Sequence, residues 1–189
     1  EYRLGNLRDS IETFQGLKSQ FKDSPLILYT HYLLGEMFLI LEDYPSSIKE
    51  MNSILTKSDG NILTGVSLLT LFWDYIRLGE MEGANKALQR LQKLSHFGDE
   101  KTFIQWLNAE LIFSEGKISD SLPYYFNILN TGFREKALFQ ISRGYFFENK
   151  FREAITNLDI LSLEFPNSIY AEESLFIKAE SLNKLGDFD

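Results

Sequence analysis

Cysteine is absent from the 189-residue chain. Disulfide bridges, thiolate metal sites and cysteine nucleophiles are therefore excluded, and the redox compartment stays open. Positive charge is scarce: 19 Lys+Arg stand against 27 Asp+Glu, a formal net charge of −8. A field of that sign repels phosphate backbones and anionic membrane surfaces, so nucleic acid is not an expected partner. Long hydrophobic runs are missing too. The most apolar stretch, Leu26 to Leu41, is interrupted by His31 and Glu36 and falls short of the roughly 20 residues a bilayer requires. No direct membrane span is expected. The chain opens on Glu1 with no leader pattern behind it, so any targeting segment is expected to have been removed or to lie upstream.

Chemistry-bearing motifs are equally sparse. There are two histidines, His31 and His96, at a separation that fits no local ligand pair. His31 is expected on the inward face of a helix as a hydrogen-bonded core residue, and His96 in a solvated turn. No Gly-rich phosphate loop, zinc-protease, serine-hydrolase or calcium-loop pattern occurs. Acidic neighbours such as Glu172-Glu173 and Asp99-Glu100 fall at helix starts, where carboxylates suit the macrodipole. Neither catalysis nor a cofactor nor a metal is expected. Alternating β-branched residues never persist, which removes strands.

What the sequence does have is aromatic content, with 16 Phe, 9 Tyr and 2 Trp, and an internal repeat. A turn of two polar or glycine residues followed by an apolar one recurs as Gly5-Asn6-Leu7, Glu42-Asp43-Tyr44, Gly79-Glu80-Met81, Gly116-Lys117-Ile118, Asn149-Lys150-Phe151 and Gly186-Asp187-Phe188. The steps between apolar members are 37, 37, 37, 33 and 37 residues. Such a period signals a stack of supersecondary units.

Three residues beyond each apolar member stands a small side chain, as at Ser10, Ser47, Ala84, Ser121 and Ala154. Large ones follow at Phe14, Met51, Leu88, Tyr125 and Leu158, then at Leu17, Ile54, Leu91, Ile128 and Leu161. Spacings of three and four place all of them on one helical face. A first helix precedes each turn, with Leu34, Gly35 and Phe38, Leu71, Phe72 and Tyr75, Asn108, Ala109 and Ile112, Ile141, Ser142 and Tyr145, and Lys178, Ala179 and Leu182 expected inside. Asn108 and Lys178 are polar where the pattern wants an apolar residue.

Stop signals at 57–61, 95–99 and 130–132 agree with this division. Ser24 and Ser168 are expected N-caps of first helices. Pro123 is expected in the first turn of its helix, with Ser119 as the cap. The expected fold is all-α, an α-α solenoid of about five helix-turn-helix units. The unit bounds are approximately 1–23, 24–60, 61–98, 99–132, 133–167 and a partial 168–189.

Leu34-Gly35 with Phe38, Ser47, Met51 and Ile54 stands at the spacing of the tetratricopeptide repeat, which this pattern resembles. The stretch Phe165-Pro166-Asn167-Ser168-Ile169-Tyr170-Ala171, with Ala179 and Gly186-Asp187-Phe188, looks like the variant common in bacterial envelope proteins. That subgroup includes the lipoprotein of the outer-membrane β-barrel assembly machine and the periplasmic coordinators of cell-wall synthesis. The resemblance thus implies a bacterial periplasm or cell-envelope location. The family unit is 34 residues, shorter than most steps here. Because such arrays need polar caps, more protein on one or both sides, or a partner over the open ends, is expected.

The resemblance also implies that the α-α solenoid winds as a right-handed superhelix, with a concave groove lined by first-helix residues that do not pack within the unit. Carried over by position, it runs through Tyr29, Tyr32, Glu36, Trp73, Phe103, Trp106, Glu110 and Arg143. Tyr32 and Trp106 suit either core or groove, whereas Phe139 and Phe176 are expected as core. Family members that clamp a C-terminal carboxylate use Lys and Asn in this row. Here it reads Glu36, Trp73, Glu110, Arg143 and Glu180, which argues against that ligand. The expected role is a non-enzymatic scaffold for a protein or peptide partner. The alternatives are the regulatory or assembly region of a larger enzyme or envelope complex, and a homo-oligomer formed through open helical ends.

Overall fold

The computed structural model describes residues 4–57, 62–94 and 100–186. Among them are ten helices and no strand: α1 (Leu4–Gln20), α2 (Ile27–Ile40), α3 (Tyr44–Lys57), α4 (Ile62–Leu78), α5 (Met81–Leu94), α6 (Glu100–Ser114), α7 (Ile118–Asn127), α8 (Arg134–Phe147), α9 (Phe151–Glu164) and α10 (Ala171–Leu185). None of the described helices is long and apolar enough to cross a membrane. The turn signals at 58–61 and 95–99, with His96 and Asp99, lie outside the described residues, as do Asp187 and Phe188.

The repeat has a backbone cause. Glu42, Gly79, Gly116, Asn149 and Gly186 all sit in the left-handed region, with φ of 58°, 74°, 78°, 60° and 77°, and they are the first residues of five of the six turns. At four of them the next N–H reaches back five residues: Asp43 to Phe38, Glu80 to Tyr75, Lys117 to Ile112 and Lys150 to Tyr145, at 2.8–3.2 Å. The left-handed residue itself donates to the carbonyl three before it. This paired closure satisfies the last carbonyls of a first helix and reverses the chain into the second.

First helices begin by another recurring device. The Ser24, Thr131 and Ser168 hydroxyls accept from the N–H two residues on, at 3.0–3.2 Å. Their carbonyls accept from Ile27, Arg134 and Ala171. Ser24 and Ser168 are therefore not N-caps as the sequence suggested; Leu26 and Tyr170 are, without a side-chain bond. The serines shape the turn one step earlier.

The chain divides into two compact units, Glu1–His96 and Phe97–Asp189. In the first, each helix from α1 to α5 packs on its neighbours in sequence; in the second, α6 to α10 do the same. The small residues Ser47, Ala84, Ser121 and Ala154 are wholly buried, and Met51, Leu88, Tyr125 and Leu158 fill the space beside them. The approach at Gly35 is close: a Cβ there would lie 2.5 Å from Met51 Cε.

Three expectations need correction. Pro123 lies in the interior of α7, because the helix starts at Ile118 with Lys117 as its cap; one backbone bond is lost there. The Ser119 hydroxyl donates to Glu148 instead of capping. Phe176 and Ala179 are exposed, since no described helix follows α10 to cover that face. Polar Asn108 and Lys178 satisfy themselves, Asn108 on the Ile104 carbonyl at 2.7 Å and Lys178 on Asp159 at 2.6 Å. The single 33-residue step coincides with α7, which has 10 residues where α3, α5 and α9 each have 14.

Candidate functional site

In the second unit, α6 carries Phe103, Trp106 and Glu110 at spacings of three and four, hence on one face. On α8, Lys136, Phe139, Gln140 and Arg143 share a face in the same way. The rings of Phe103, Trp106 and Phe133 form a triangle with centroids 5.6–6.1 Å apart. Lys136 Nζ stands 4.2 Å from the Trp106 centroid and 5.5 Å from that of Phe133. The Arg143 guanidinium lies 5.1 Å from the Phe113 centroid and 5.7 Å from that of Phe139. Phe139 in turn stacks on Tyr170, 4.3 Å apart and nearly parallel. Each cation thus rests against two aromatic faces, an arrangement favoured by the ring quadrupole.

Beneath them is Glu110, only 7% exposed. It was expected on the groove surface; instead it is enclosed by α6, α7 and α8. Trp106 Nε1 donates to Oε1 at 2.8 Å, the Tyr125 hydroxyl donates to the same oxygen at 3.1 Å, and Gln140 Nε2 lies 2.8 Å from both oxygens. Gln140 Oε1 accepts from Arg143 Nη1 at 2.9 Å, and Arg143 is also 3.8 Å from the Glu173 carboxylate. Burial raises the Glu110 pKa above the ordinary carboxylate range, against the lowering pull of Gln140, Tyr125, Trp106 and Arg143. The same burial, with the Glu110 charge, raises that of the Tyr125 phenol. Gln140, Phe133 and Lys136 carry no signal in the repeat pattern, and Tyr125 stands in it only as a packing residue. The available signal was a carboxylate inside the apolar run Leu107, Ala109, Leu111, which demands donors from elsewhere.

In the first unit, α2 aligns Tyr29, Tyr32 and Glu36 on one face. Tyr29 is open to solvent, while Tyr32 and Glu36 are half-buried. Trp73 on α4 is half-buried and meets Phe72 edge-on at 5.0 Å. Burial raises the Glu36 pKa, with the Thr70 hydroxyl acting the other way. Deeper in the same unit, Asp74 is wholly buried. Among the described residues neither of its oxygens has a hydrogen-bond partner, nor does the hydroxyl of Ser47. Its pKa is pushed up to about 6, mainly by burial and further by Glu36; Ser47 is near enough to oppose the shift without reaching bonding geometry. His31 is buried and its Nδ1 lies 2.6 Å from Glu50 Oε2, while Lys18 Nζ is 2.5 Å from Glu50 Oε1. Among the described residues no three metal-ligating side chains converge.

Two solved structures superpose on this chain. RapI in its apo form superposes with a TM-score of 0.69 at 14% identity, over 96% of this chain and 55% of that one. The TPR2AB domain of yeast Sti1, in a complex with pHSP90, superposes with a TM-score of 0.51 at 14% identity, over 94% of this chain and 80% of that one. The fold is a tetratricopeptide-like helical repeat. At 14% identity the likeness concerns the fold alone. This repeat chain spans about half the length of the RapI chain. No family model and no curated protein matches the sequence.

Proposed function

We propose that the chain is a non-enzymatic scaffold that captures a peptide or protein partner along its first helices. In the first unit the contact residues are Tyr29, Tyr32, Glu36 and Trp73. In the second they are Phe103, Trp106 and Arg143, with Lys136 added. Glu110 acts from below, holding the Trp106 indole directly and Arg143 through Gln140. The observation that carries this reading is the pair of cations on α8, each resting on two aromatic rings. Planar rings bury much area with little rotamer loss, and Trp, Tyr and Arg are the commonest binding anchors. The likeness to a Sti1 domain solved in a complex with pHSP90 supports a binding role of this kind.

Crosslinking with mass spectrometry in the native cell, followed by capture with Tyr29→Ala/Trp73→Ala and Lys136→Ala variants, tests it. Partner recovery should fall in at least one variant while helical content is retained. Undiminished capture by both would remove the proposal. A second reading, the regulatory or assembly region of a larger protein, draws on the chain spanning 55% of RapI. Sequencing the full reading frame separates the two.

A further inference from the structure

We infer that a hollow between α1, α2 and α3 of the first unit binds a phosphate group. It lies apart from the groove residues and does not depend on that reading. It is a solvent-open hollow of about 380 Å³, lined by Lys18, Lys22, Lys57, His31 and the hydroxyl residues Ser19, Ser53 and Thr56, with Ile27 completing the wall. Three lysines lining one hollow are conspicuous in a chain whose net charge is −8.

The charges have distinct duties. Lys18 is paired with Glu50, and His31 is held to the same carboxylate through Nδ1. His31 is 6% exposed, so the floor is fixed. Both oxygens of Glu50 are occupied by these two contacts, and its pKa is lowered although burial alone would raise it, because His31 and Lys18 prevail. Lys22 and Lys57, by contrast, have no ion-pair partner among the described residues. Lys18 and Lys57 stand in the last turns of α1 and α3, where a cation also offsets the helix dipole. Lys22 lies beyond α1 and has no such duty. Ile27 begins α2, so the positive end of that helix adds to the same field.

A phosphate group carries a charge near −2 and three strong acceptor oxygens, which match several ammonium donors and hydroxyls around one point. The chain's overall negative field opposes such a ligand at a distance, so recognition is local and short-ranged. The same group can arrive as a phosphorylated side chain of a partner or as free phosphate.

Amide-shift titration of the ¹⁵N-labelled protein at constant ionic strength tests the site. The probes are inorganic phosphate, a phosphoserine peptide and its unphosphorylated form, with sodium chloride and phosphatidylserine vesicles as controls. Saturable shifts are expected around residues 18–31 and 53–57 with the first two probes only. Tighter binding of the phosphopeptide assigns the ligand to a partner's side chain, and equal binding assigns it to the free anion. Lys22→Ala and Lys57→Ala should each weaken binding about tenfold, the worth of one charge-assisted hydrogen bond, and Lys22→Ala should leave the melting temperature unchanged. Three outcomes would overturn the site: shifts that chloride reproduces, binding indifferent to both substitutions, or binding only to anionic lipid vesicles.

Discussion

Gln140 Nε2 stands 2.8 Å from both carboxylate oxygens of Glu110, joining residues 30 apart in the chain. A carboxylate so buried is tolerated only while donors surround it, since an unsatisfied buried charge costs far more than a satisfied one contributes. Replacing the donor with an apolar side chain of similar length, Gln140→Met, should lower the stability of the second unit by about 1.5–3 kcal/mol. Each unit contains one tryptophan, so urea unfolding followed through Trp106 in a Trp73→Phe background reads this directly. An unchanged midpoint would mean that the network is energetically idle.

Asp74 presents the opposite case, a buried carboxyl without partners. Its folded pKa of about 6 lies above the unfolded value near 3.9. The folded state therefore holds the proton more tightly, and stability is lost as pH rises between about 4 and 6. The loss above that window is on the order of 3 kcal/mol. Asp74→Asn removes the ionisation at nearly constant volume. It should match the parent at pH 4 and exceed it at pH 7.5 in denaturant unfolding monitored through Trp73. A difference that does not vary with pH would refute this account.

Glu42 and Asn149 hold left-handed conformations that glycine holds at the equivalent turns. Side chains in that region cost roughly 1–2 kcal/mol, less for Asn, which visits it more readily. Part of the gain from glycine is given back by the greater freedom of the unfolded chain. Glu42→Gly should therefore raise the melting temperature, and by more than Asn149→Gly does. Equal or reversed gains would show that the turns are not limiting.

Trp106 and Lys136 touch, yet they should behave differently on truncation. The indole packs on the buried cluster around Tyr125 and Ile128 and bonds Glu110. Trp106→Ala should thus cost about 2 kcal/mol or more. Lys136 only rests on the ring, and Lys136→Ala should stay within about 0.5 kcal/mol of the parent. Thermal melts of the two variants decide the matter.

The fold was legible because its period is written twice, in small residues that permit helix contact and in turn residues that take a positive φ. Ser47 and Ala84 announce a neighbouring helix locally, through spacings of three and four. Glu110 could not be placed that way. Its position in the row suggested an outward charge, and only Trp106 among its donors is local; Tyr125 and Gln140 lie 15 and 30 residues downstream. Asp74 was equally silent, since nothing adjacent in sequence marks a carboxyl whose partners are missing. The serines at 24 and 168 mark helix starts but do not cap them, because a hydroxyl two residues before the cap serves the turn. Phe176 was assigned inside by its spacing alone, which cannot say whether another helix covers it.

The shortened α7 carries a lesson about how such a chain tolerates change. Four residues make slightly more than one revolution at 3.6 residues each, so the shortened end of α7 points nearly the same way as a 14-residue helix would, while Tyr125 and Ile128 keep the usual offsets from its start and stay buried. Deleting two would have swung the helix end to the opposite side. Length in this architecture is thus granular, adjustable by whole windings and resistant to anything between.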